Sequence, residues 1–151
     1  MKKIYEAEGI LNKGFVGQIS YTVCLDKPYK EMDIAFSFDK QRYPEITEEL
    51  KEELRRACKG EYDSAISTEE QLAGAVREMK TEIHTLASMN DVFIGGVHKQ
   101  LTTRHMIFSP DFTSEGCLEQ ENLNGVIKIT LAVFNVIMDG SRYCLSLSVK
   151  E

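Results

Sequence analysis

No stretch of the chain approaches the roughly 18 consecutive apolar residues that a membrane-spanning helix needs, so membrane is set aside as a partner. No cysteine sits in a C-x-x-C pair. Cys24, Cys58, Cys117 and Cys144 stand apart, which removes zinc ribbons and thioredoxin-type redox chemistry. The first residues, Met-Lys-Lys-Ile-Tyr-Glu-Ala-Glu, have basic groups but lack the apolar core of a signal peptide. The expected setting is therefore cytoplasmic, with the thiols reduced. The patterns G-x-S-x-G, H-E-x-x-H, G-x-G-x-x-G and the Walker loop are all missing. Repeats, low-complexity tracts and linkers are missing too, so residues 1–151 are expected to form a single globular domain.

Basic charge is in deficit. Lys and Arg number 18 against 24 Asp and Glu, and the net charge of −6 disfavours a phosphate backbone, so nucleic acid is not an expected partner. What the chain does have is 42% hydrophobic residues. At this length that is enough to bury about 70% of the unfolded surface without disulfide staples.

Strand-like segments come first, then helical ones, then strands again. This order predicts an α+β fold with a mostly antiparallel sheet: a three-strand meander, two helices packed on one face, and three or four more strands. Asn12-Lys13-Gly14 reads as a three-residue hairpin loop that sets Leu11 opposite Phe15, Ala7 opposite Ile19 and Tyr5 opposite Tyr21. Lys27-Pro28 breaks that strand, and Met32, Ile34, Phe36 and Phe38 line one face of the next. After Pro44, Ile46, Leu50, Leu54 and Ala57 repeat at helical spacing, with Gly60 as the stop. Ser67 with Glu70 reads as a capping box for a second helix, whose stripe runs Leu72, Val76, Met79, Ile83, Leu86. Strands resume after Asn90.

Asp139-Gly140 gives a two-residue hairpin signal near the end. It sets Val136 opposite Tyr143, Phe134 opposite Leu145, Ala132 opposite Leu147 and Thr130 opposite Val149 as the core face. The reverse face of the 126–138 strand carries Ile127, Ile129, Leu131 and Val133, so this strand is apolar on both sides. Such a strand needs cover on both: helices, a second sheet or another subunit. A homodimer through Ile127, Ile129, Leu131 and Val133 is the expectation drawn from it.

Residues 96–108 are basic and free of Asp and Glu. Glycine lets backbone approach a ligand closely, and free N–H groups bind anions. Gly95, Gly96, His98, Lys99 and Arg104 are therefore the candidate site for a small acidic or phosphorylated molecule, with Asn135, Cys144 and Ser146 as polar lining of a sheet–helix pocket. The plainer alternative is a glycine turn flanked by solvated charges. His98 and His105 are seven residues apart, which puts them on opposite faces of one strand, and His84 borders an apolar stripe; neither a metal nor a cofactor is expected. Residues 109–125 carry Asp111, Glu115, Glu119 and Glu121, without the spacing of an EF-hand. They are expected to be a solvated loop, or to pair with a neighbour's basic strand. Cys117 lies in that loop, and His98 or His105 could act as its base only if the fold brings one of them within reach. The chain is thus expected to be a non-catalytic binding or assembly domain that forms a homodimer. A small enzyme or ligand sensor is the alternative.

Overall fold

The computed structural model describes residues 1–58 and 68–151. In chain order the elements are β1 (Lys2–Leu11), β2 (Gly17–Cys24), β3 (Glu31–Phe38), α1 (Glu48–Ala57), α2 (Glu69–Glu78), β4 (Glu82–Met89), β5 (Val92–Val97), β6 (Thr103–Phe108), β7 (Val126–Asn135) and β8 (Ser141–Lys150). The strands form two four-stranded antiparallel sheets, ordered β1-β8-β3-β6 and β2-β7-β4-β5. Period-two alternation buries one face of each sheet. Met32, Ile34, Phe36 and Phe38 from β3 and Tyr143, Leu145, Leu147 and Val149 from β8 meet Ile127, Ile129, Leu131 and Val133 from β7 in one hydrophobic cluster. Mostly antiparallel sheet with two helices is what the strand–helix–strand order leads one to expect; two packed sheets are not.

Both expected hairpins are instead arches between the sheets. β1 pairs with β8 and β2 with β7, so neither β1–β2 nor β7–β8 shares a ladder. Hairpin partners lie side by side, whereas arch partners face each other through their side chains. Tyr5 and Tyr21 do meet, with ring centroids 6.2 Å apart, but one comes from each sheet. The arches brace each other. The Gly14 N–H donates to the Val136 carbonyl at 2.9 Å, and the Lys13 N–H to Asp139 Oδ1 at 2.9 Å. At φ +85°, Gly14 holds a conformation that other residues rarely adopt.

The arch also inverts β7. Ile127, Ile129, Leu131 and Val133 are at most 3% exposed, because the second sheet covers them. They are core and unavailable to a second subunit. The outer face carries Thr130, Ala132 and an exposed Phe134.

The second helix ends at Glu78, eight residues short of the stripe's last member. Ile83 and Leu86 lie on β4, where a separation of three puts Ile83 in the core and Leu86 outside. Thr81 fixes the break. Its N–H donates to the Gln41 carbonyl at 2.8 Å, and its hydroxyl accepts from the Ile137 N–H at 3.0 Å. The capping box is made by Thr68 and Gln71, whose side chains accept each other's backbone N–H at 3.1 and 3.2 Å. Ser67 and Gly60 fall outside the described residues. Glu69 ties α2 to α1 through Lys51 at 3.0 Å and Arg55 at 2.8 Å.

Candidate functional site

β5 and β6 end the two sheets on the same side of the sandwich. Open edges invite pairing with another chain. Here residues 113–118 pair with both. Ser114 exchanges two bonds with Ile107 of β6, its N–H donating to the carbonyl at 2.9 Å and its Oγ accepting from the N–H at 3.0 Å. The Gly96 N–H then donates to the Gly116 carbonyl at 3.0 Å, and the Leu118 N–H to the Ile94 carbonyl at 2.8 Å. The acidic segment is thus partly a strap across two sheet edges. Lys99 and Glu115 pair at 2.5 Å within the chain, and this contact holds the Glu115 carboxyl below its usual range.

Gly95 is needed under the strap: a Cβ there would lie 2.6 Å from Cys117 Sγ. Cys117 is half-buried by this packing, and burial pushes its thiol up, away from the thiolate that a nucleophile needs. Among the described residues no histidine is hydrogen-bonded to it.

Beside the strap is a cleft of about 530 Å³ between β5 and β6. Val97, Leu101 and Phe112 give it apolar wall, and His98, Lys99 and Arg104 reach it from the basic segment. Leu101 and Phe112 are 55% and 57% exposed.

Arg104 is the unusual member. Met106 and Phe108 face the core, and period two turns Arg104 inward with them, leaving it 3% exposed. Its guanidinium lies 5.6 and 5.5 Å from the ring centroids of Phe36 and Phe38. Nε donates to the Leu101 carbonyl at 2.8 Å; Nη1 donates to the Ile83 carbonyl and approaches Thr85 Oγ1 at 3.4 Å. Arg104 therefore ties β6 to β4 across the sandwich. Nη2 has no partner among the described residues, and none of the ion pairs among them involves Arg104. Burial pushes its pKa down to about 10, so the side chain stays cationic at neutral pH. A buried charge without a counter-ion is costly unless something compensates it.

Gly96, His98, Lys99 and Arg104 share this cleft, and Gly95 lies next to it under Cys117. The other expected lining residues do not join them. Leu145 and Leu147 occupy the inner face of β8, so Cys144 and Ser146 fall on its outer face. Asn135 ends β7 and donates to the Lys80 carbonyl at 3.0 Å. A pocket of about 410 Å³ between α1 and the end of β7 includes Asn135, but Cys144, Ser146 and the basic segment do not line it. His105 turns outward to Asp33 at 3.0 Å, and His84 to Glu82 at 3.2 Å. Phe112 and Leu101 carry no pattern that marks them out, whereas Glu115 belongs to the acidic stretch expected to pair with a neighbour's basic strand and pairs with Lys99 of its own chain instead. On the outer face, Cys144 lies with Glu6 and Glu8, their ligand atoms within 4.8 Å of one another. Glu6 is already paired with Lys3, and burial and the two carboxylates push the Cys144 thiol up, which keeps it protonated.

The fold is an antiparallel two-sheet sandwich, with one side strapped shut over a buried arginine. The chain belongs to a family of unknown function (DUF6669), whose model matches residues 1–151. No curated protein and no solved structure matches it. Among the described residues no helix is long and apolar enough to cross a membrane.

Proposed function

We propose that this protein is a non-catalytic binding domain for a small acidic molecule, seated in the cleft between β5, β6 and the strap. The observation that carries this is the buried Arg104 guanidinium, with a free Nη2 and no carboxylate beside it. Buried cations are ordinarily paired, and the missing partner would arrive with the ligand. The apolar wall with a few cationic groups has the make-up of a small-molecule site. The protonated thiol of Cys117 supports binding over catalysis.

Thermal unfolding with a panel of organic acids and their uncharged amides or alcohols tests it. A ligand at 100 times its Kd adds about 2.7 kcal/mol, or about 5–10 °C for a domain of this size. One or more acids should raise the melting temperature while the neutral analogues do not. A flat response across the panel counts against the site.

A homodimer is a second reading, on a surface other than the one first expected. Leu86, Phe93 and Phe134 stand exposed on the outer face of the β2-β7-β4-β5 sheet, with Phe134 4.5 Å from His84 between ring centroids. Light scattering on a sizing column tests this: a dimer that Phe134→Ser dissociates supports it, and a monomer at micromolar concentration removes it.

A further inference from the structure

The cleft's donors and charges also bear on which acid it takes, an inference that rests on the acidic-ligand reading above. We propose that the ligand is a monocarboxylate with an apolar body, an aliphatic or aromatic acid, and not a phosphate ester.

The first ground is the donor inventory. Bidentate recognition uses two parallel N–H groups of the guanidinium fork. In Arg104 both Nε and Nη1 are already committed to the carbonyls of Leu101 and Ile83. Only Nη2 remains, which suits one carboxylate oxygen. A phosphate presents three strong acceptors and would leave most of them unmet in a buried site.

The second ground is charge. Lys99 is neutralised by Glu115, which leaves Arg104 as the one buried cation at the cleft among the described residues. One negative charge balances it. A phosphomonoester carries close to two at neutral pH, and the excess would sit near the Glu115 carboxylate.

The third ground is the wall. Leu101 and Phe112 are large, apolar and more than half exposed, and with Val97 they offer a surface that a hydrocarbon body would cover. Nη2 is closed off from solvent, so the packing around it must open as the acid enters. Association should accordingly be slower than a diffusion-limited encounter.

Octanoate, octyl phosphate and octanol share a chain length and differ at the head, so calorimetric titration of each into the full chain at neutral pH is the test. Octanoate should bind, octyl phosphate at least tenfold more weakly, and octanol not measurably. Arg104→Met should abolish octanoate binding. Because that variant changes a buried residue, Phe112→Ser, at an exposed position, provides the independent check: it should stay folded and weaken octanoate binding severalfold. Octyl phosphate binding as tightly as octanoate would overturn the monocarboxylate assignment and leave the acidic-ligand reading standing. Octanol binding as tightly would overturn both. Octanoate affinity unchanged in Phe112→Ser would overturn the place given to the apolar body. If octanoate fails while another organic acid stabilises the protein, the apolar-body assignment falls alone.

Discussion

The hydroxyls of Tyr21 and Tyr143 meet at 2.6 Å, one from each sheet, on the β1–β2 side of the sandwich. Tyr143 is buried, and its ring lies so close over β1 that a Cβ on Gly9 would come within 2.4 Å of it. Gly9→Ala is therefore expected to cost about 1–3 kcal/mol by overpacking. Tyr143→Phe, which removes one hydrogen bond, should cost ~1 kcal/mol. Urea unfolding of the two variants orders them, and a Gly9→Ala midpoint equal to the wild type's would contradict the close packing.

The same pair gives a pH dependence. Burial, then the Tyr21 contact, raises the Tyr143 pKa above its ordinary value. A raised folded-state pKa means stability that is fully present below the unfolded value, near 10, and is lost as pH rises beyond it. Arg104 acts oppositely in that window: its depressed pKa means that deprotonation above about 10 relieves the cost of burying its charge. The difference between wild type and Tyr143→Phe cancels the arginine. That difference should shrink between pH 9 and 11, as urea midpoints at the two pH values would show; a constant difference would argue against the raised Tyr143 pKa.

The strap should protect Cys117. Its thiol is half-buried over Gly95 and pushed up by that burial, whereas Cys24 is exposed. Timed alkylation at neutral pH, mapped by peptide mass, should modify Cys24 well before Cys117. Gly95→Ala should displace the strap and speed modification of Cys117. Equal rates at the two cysteines of the wild type would mean the strap is open in solution.

The two faces of β7 should respond differently. Leu131 is fully buried between the sheets, and Leu131→Ala is expected to cost about 2–5 kcal/mol. Phe134 is exposed, and Phe134→Ser should change stability by about 0.5 kcal/mol or less in the monomer. Chemical denaturation of both decides it; comparable losses would contradict the inner–outer assignment.

Strand positions were legible because alternation is local: β3 and β8 bury the residues their patterns select. Pairing was not, because turn chemistry at Asn12-Lys13-Gly14 and Asp139-Gly140 reverses the chain without saying whether the next strand lies beside the last or across from it. The doubly apolar 126–138 strand carried the clue, since a second sheet was one of the covers it called for. The stripe Leu72–Val76–Met79 ran on into Ile83 and Leu86 by coincidence of spacing, and only the long-range bonds of Thr81 break it. At the cleft, composition picked out the basic segment with Gly96, His98, Lys99 and Arg104. That Arg104 points inward follows from its period-two relation to Met106 and Phe108, a local signal. The positions of Phe112 and Glu115 depend on strap pairing distant in sequence. Cys144 and Ser146 do not share the sheet–helix pocket that Asn135 lines, because the assumed β7–β8 hairpin put the three on one surface.

The most direct measurement is nitrogen-resolved NMR of the arginine side chains, with and without saturating octanoate. The Arg104 guanidinium signal should move on addition of the acid, together with the backbone amides of residues 114–116, while the signals of Arg42 and Arg142 stay in place. An Arg104 signal that stays fixed while octanoate binds elsewhere would contradict the account.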